Sequence, residues 1–131
     1  MQVVNPIDIE DALRIDLAAI VGGFRFFAPP LPPDLKAGDV CVRALSGSTI
    51  SAASNVYDVT IECYESNEAD AIEAANEIAG VVASLPLRET QTQYSDARPR
   101  IPYLDPDPRA PQLARYTFGA SLICPGERLT F

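Results

Sequence analysis

Twelve prolines stand in this 131-residue chain, and nine of them crowd into two short stretches. Pro29, Pro30, Pro32 and Pro33 lie in FRFFAPPLPPDL, residues 24–35. Pro99, Pro102, Pro106, Pro108 and Pro111 lie in residues 95–112. Proline lacks an N–H and fixes φ, so neither stretch can be a helix or a central strand. The first is expected to be an extended, polyproline-like run, its Phe24, Phe26, Phe27 and Leu31 suited to packing. A peptide-ligand role for that run is the alternative. The second is expected to be a long irregular loop, a kind that is functional or disordered in a small domain. Regular elements must fall before, between and after these two stretches.

Before them, Ile9, Leu13, Leu17 and Ile20 recur at helical spacing. A helix from Pro6 to Val21 is expected, with Asn5 as N-cap, Pro6 at the first helical position and Asp8 completing a weak capping box. Asp8, Glu10 and Asp11 suit the helix dipole, and Gly22-Gly23 supplies the stop.

Between the stretches, residues 39–45 alternate as a strand. Ser46 to Asn55 is small, polar and uncharged, and reads as a flexible hairpin loop. Residues 56–64 are the clearest strand, with Tyr57, Val59, Ile61 and Cys63 on one face and Asp58, Thr60 and Glu62 on the other. A second helix is expected over Glu68–Ser84, capped by Ser66 or by Asn67 with Asp70. Its buried stripe reads Ile72, Ala75, Ile78 or Ala79, Val82 and Leu85, with Glu68, Asp70, Glu73 and Glu77 wet. Gly80 suggests close approach to a sheet. Leu87 to about Tyr94 is a further strand candidate.

After them, Leu113–Cys124 is the last strand, with Ala114, Tyr116, Phe118, Ala120 and Leu122 on one face, and Pro125-Gly126 closes it. The order α-β-β-β-α-β-β predicts an α+β fold, with two helices on one face of a mainly antiparallel sheet. The length suits one domain over residues 1–131.

Composition narrows the function. Eighteen acids oppose ten cations for a net charge of −8, and only one of the cations is lysine. That argues against a self-contained nucleic-acid binder. Histidine is absent, which removes Ser-His-Asp and Cys-His catalysis and His-ligated zinc. Cys41, Cys63 and Cys124 are odd in number and form no C-x-x-C, so buried thiols are expected rather than disulfides or a metal site. The N-terminus has no signal-peptide pattern, and residues 17–31 are too short and too broken to span a bilayer.

No phosphate-binding glycine motif and no nucleophile elbow is present, so no catalytic, cofactor-binding or metal-ligating residue is assigned. Asp105-Pro106-Asp107 reads as a turn rather than a cation site. What remains suits an interaction protein. Arms stiffened by proline lose little entropy on docking. Arg98, Arg100 and Arg109, in the second proline stretch, favour bidentate pairing with carboxylates of a neighbour. An arginine arm meeting an acidic body is a head-to-tail contact, which closes into rings. Solvated loops on a monomer are the bland alternative.

The arrangement resembles the tail-terminator, or tail-completion, proteins of long-tailed bacteriophages. The resemblance covers most of the chain. It comprises the amphipathic helix DIEDALRIDLAAIVG, the paired-proline loop APPLPPDL, the strand-to-helix run VYDVTIECYESNEADAIEAANEIAGVVASL and the late strand ARYTFGASLIC. It implies a virion protein at the tail–neck junction, made in the host bacterial cytoplasm. A ring, by the family's pattern a hexamer, caps the head-proximal end of the tail tube. It stops tube polymerisation and docks the head–tail connector, without catalysis or cofactor. Partners would be further copies, the tail tube protein and the connector or adaptor protein. Genomic DNA would pass through a channel without specific binding, and no membrane is involved. Six copies would carry roughly −48 charges, which repels DNA phosphate from such a channel. Candidate interface residues are Arg98, Arg100, Tyr103, Leu104 and Arg109. Ser46, Ser48, Thr49, Ser51 and Asn55 are candidates for a loop reaching the channel or an axial partner. The alternatives are a head–tail connector or head-completion protein and, from another class, a small ligand-binding or enzymatic domain.

Overall fold

The computed structural model describes residues 2–5, 7–51, 54–125 and 127–130, with side chains described over 7–45 and 55–125. Strand β1 (Gln2–Asn5) is followed by helix α1 (Ile9–Ile20), strand β2 (Arg25–Phe27), strand β3 (Asp39–Ser51) and strand β4 (Ser54–Glu65). Helix α2 (Glu68–Ser84) runs into a 3-10 turn at Leu85–Leu87. Strands β5 (Asp96–Pro99), β6 (Tyr103–Leu104), β7 (Ala114–Pro125) and β8 (Glu127–Thr130) complete the chain. The main sheet runs β2-β3-β4-β7-β5, with β6 also on β7. All its pairings are antiparallel except β2 with β3. The fold is α+β, and the order α-β-β-β-α-β-β is found as α1, β2–β4, α2, β5 and β7. Strand β6 and the separate β1–β8 pair are additions to it.

Pairing aligns one side of every central strand. Val42 faces Ile61, which faces Phe118, and Tyr57 faces Leu122, which faces Ala97. These side chains form one core cluster with Ile9, Leu13 and Leu17 of α1 and Ala74, Ala75, Ile78 and Val82 of α2. Both helices therefore cover the same face. The strands' other side carries Arg43, Asp58, Thr60, Glu62, Tyr64, Arg115 and Thr117, by the period-two alternation of side chains.

Several local expectations need correction. Asp8, not Asn5, caps α1, its carboxylate accepting from the Asp11 N–H at 3.3 Å; Asn5 belongs to β1, and Pro6 lies outside the described residues. Asn67 caps α2 as expected, accepting from the Asp70 N–H at 2.9 Å. On α2, Ile72 is 39% exposed, and Ala71 and Ala74 take the buried places. Small side chains let the helix lie close to the sheet, and that turns Ile72 outward. Gly80 is exposed with open space around it, so it marks no close approach.

Residues 46–51 are not part of a loop. They continue β3, and a bulge between Ala44 and Ser46 keeps the ladder to β4. Backbone pairing does not require apolar side chains, so a polar run can extend a hairpin whose partner is strongly β-forming. Ala52 and Ala53 lie outside the described residues, as do Gly126 and Phe131. Leu87–Tyr94 is no strand. Asp16 of α1, buried at 2% exposure, takes the N–H groups of Gln91 (2.9 Å) and Thr92 (3.3 Å) and the Tyr94 hydroxyl (2.7 Å). Those donors are then unavailable to a ladder. The missing strand is β5, inside the stretch expected to be irregular, where it and β6 fill the free edge of β7. The first proline stretch contributes the short edge strand β2 before its prolines begin.

Candidate assembly surface

The site is built on the helix-free face. Glu62 and Tyr64 of β4 stand directly opposite Thr117 and Arg115 of β7. Residues 105–109 then cross over them. The Asp105 N–H donates to the Arg115 carbonyl at 2.9 Å, so the crossing is fixed by backbone as well as by side chains. The Arg115 guanidinium donates through Nε to the Asp105 carbonyl (2.6 Å) and through Nη1 to Glu62 Oε2 (2.9 Å) and the Tyr64 hydroxyl (3.2 Å). It also pairs with the Asp105 carboxylate at 3.2 Å and the Asp107 carboxylate at 3.5 Å, and it lies 5.7 Å from the centre of the Tyr64 ring. Thr117 donates to Asp105 at 3.0 Å and Tyr64 to Asp107 at 2.9 Å.

The charges balance. Arg43 reaches Glu62 from one side at 3.3 Å, and Arg109 reaches Asp107 from the other at 3.2 Å. Three guanidinium groups thus meet three carboxylates, and among the described residues no buried side-chain polar atom lacks a partner. A buried charge set is tolerable only in that state, because an unpaired member keeps its full desolvation cost. Burial works to raise the Asp107 carboxyl. The Arg109 N–H and guanidinium, the Tyr64 hydroxyl and Arg115 outweigh it, and the group ends below the usual carboxylate range. Burial, helped by Asp107 and opposed by the Arg115 hydrogen bond, pushes the Tyr64 hydroxyl up to about 12. Desolvation works against the Arg115 charge, but Tyr64, Glu62 and Asp105 hold it protonated beyond its ordinary range.

This anchoring leaves the stretch before it pointing outward. Ile101 is 88% exposed, Tyr103 54% and Leu104 42%. Three of the six large hydrophobic side chains exposed among the described residues thus fall within four positions. Leu104 borders a shallow cleft with Asn67 and Glu68 at the start of α2. Arg100 lies across the sheet over Gly119, where a Cβ would come within 2.7 Å of its guanidinium, and it has no ion-pair partner among the described residues.

The residues singled out from sequence divide accordingly. Arg100, Tyr103 and Leu104 are brought together on the exposed edge. Arg98 is on that edge too, but it already pairs with Asp96 at 2.7 Å. Arg109 is committed to Asp107 of its own turn. Asn55 is buried, and its amide donates to the Tyr57 hydroxyl at 3.3 Å. For Ser46, Ser48, Thr49 and Ser51 the backbone lies in β3, and their side chains lie outside those described. Arg115 and its acids were missed. The available signal was alternation, which puts Glu62 and Arg115 on the polar side of two apolar strands.

No family model matches this chain, and no curated protein matches it. Among the described residues, no helix is long and apolar enough to cross a membrane, and no group of His, Cys, Asp and Glu is placed to hold a metal ion.

Proposed function

We propose that this protein is a ring-forming virion component of the tail-terminator type, which caps the head-proximal end of a phage tail tube. The observation that carries the reading is the arm at residues 100–109. Arg115 and its acids order the arm within a single copy, while its apolar side chains face outward. An arm ordered in advance docks at low entropic cost. Burying Ile101, Tyr103 and Leu104 needs a neighbouring surface, and a ring of identical copies supplies one to every member. The acidic balance of the chain suits a channel through which DNA slides without adhering. Tail tube protein and a head–tail connector are the axial partners that this reading requires, and no catalysis enters it.

The test is electron microscopy of the purified protein over a concentration series, with and without tail tube protein. Closed rings, or rings seated on tube ends that have stopped growing, are the expected result. Monomers beside tubes that keep elongating would remove the assignment.

A further inference from the structure

The two long edges of the main sheet carry matching features, and we infer that they meet head to tail between copies of this chain. The projecting half is the β5–β6 edge with Arg100, Ile101 and Tyr103. The receiving half is the outer edge of β3 around Leu45. The inference rests on the reading of the chain as a ring-former, and it names the surfaces that close the ring.

On the receiving side, β2 pairs only with Asp39–Cys41, so from Val42 onward the outer side of β3 has no strand partner among the described residues. The bulge there turns Leu45 out to 62% exposure. Beside it, Glu10 of α1 accepts from the Ala44 N–H at 2.7 Å, which fixes a carboxylate next to an exposed leucine. Asp8 lies in the same turn of α1, whereas Asp11 there is already paired with Arg14. On the projecting side, Arg100 lacks an anionic partner among the described residues and stands next to Ile101 in the chain. Each edge thus offers an apolar anchor beside a charge, and the charges are opposite.

Strand addition through β5 is closed. On β5 the Ala97 N–H is taken by the Asp96 carboxylate at 3.0 Å, and Pro99 has no N–H to offer. Edges blocked by proline and by inward-turned acids do not extend a ladder. Side chains must make the contact. Because the two halves are different surfaces, the contact is heterologous and repeats around a ring.

Cysteine cross-linking of the full-length chain tests this. The native Cys41, Cys63 and Cys124 are buried, and burial pushes each thiol up to about 12, so they stay silent under mild oxidation. Leu45→Cys and Ile101→Cys proteins are oxidised separately and as a mixture at high concentration. Disulfide-linked dimers several-fold more abundant in the mixture than in either protein alone are expected. Arg100→Glu in the Ile101→Cys protein should lower that yield, and Glu10→Lys in its partner should restore it. Dimers as abundant in one variant alone mean a two-fold contact and overturn the inference. So does the absence of dimers in all three samples. Tube capping by the unmodified protein is scored beside it. Capped tubes without mixed dimers discard this contact and keep the terminator reading, whereas mixed dimers with tubes that keep growing do the reverse.

Discussion

The two proline-rich stretches look alike in sequence and are used in opposite ways. In the first, Phe24 and Phe26 meet edge to face at 6.1 Å and pack against the core. Its one arginine, Arg25, forks onto the buried Asp39 at 2.7 and 2.6 Å. In the second, the acids turn inward and the apolar residues turn outward. The difference lies in what each stretch crosses. Phe24 and Phe26 of the first reach the helix-covered apolar face, where phenylalanine is the side chain that gains by burial. The second crosses the polar face, where Arg115 gives carboxylates a reason to go in. Proline makes both stretches stiff; the surface beneath decides which side chains point down. The two meet at a shallow cleft of about 240 Å³, lined by Leu31, Pro33 and Leu35 from one and Asp107 and Arg109 from the other.

That contrast can be broken at its strongest point. Arg115→Ala should destabilise the protein by about 3–5 kcal/mol, because Glu62 and Asp107 would stay buried without their shared cation. Chemical denaturation measures it, and a loss below about 1 kcal/mol would mean that the arm is not held by charge. Arg25→Ala should cost less, since the arginine is partly exposed and Asp39 keeps the Lys36 N–H at 2.9 Å. Equal losses for the two arginines would erase the distinction between the stretches. Tyr64→Phe removes one bond to Asp107 and should cost about 1–2 kcal/mol while leaving the aromatic contact with Arg115 in place.

Acid should loosen the second stretch. Asp107 has a folded value below its ordinary 3.8, so its contribution is full above that value and fades as pH falls through the lower folded one. Protection from hydrogen exchange at residues 100–109, taken relative to the intrinsic rate at each pH, should therefore fall at low pH, and Asp107→Asn should flatten that response. The smallest effect belongs to the exposed residues. Ile101→Ser should change stability by no more than about 0.5 kcal/mol while weakening self-association. A larger loss of stability would show that the side chain packs within its own copy.

Legibility followed periodicity. Helix α2, β4 and β7 announced themselves because one face of each is apolar at the right spacing. The extension of β3 through Ser46–Ser51 did not, because a ladder is made of backbone. Strand β5 was hidden because four residues that include a proline carry little pattern, and the reason they form a strand is the free edge of β7, distant in the chain. The irregular course of residues 88–95 depends on Asp16, which reads in sequence as one more acid on a helix. At the site, Arg100, Tyr103 and Leu104 were named as candidates under the resemblance, and all three are exposed. The anchoring set was not named, because Glu62, Tyr64, Asp105, Asp107 and Arg115 become one group only when β4, β7 and the crossing segment are brought together.

The pairing of β4 with β7 also sets a schedule. Glu65 meets Ala114 and Ser54 meets Pro125, so the centre of the sheet joins segments made far apart in time on the ribosome. At roughly 5–20 residues per second, several seconds of synthesis separate the two strands. Through that interval Asp16 waits for Tyr94, and Glu62 waits for Arg115. A nascent or truncated chain therefore has neither a finished core nor an ordered arm, and the ring proposed above would be open only to copies whose synthesis has passed the last long strand.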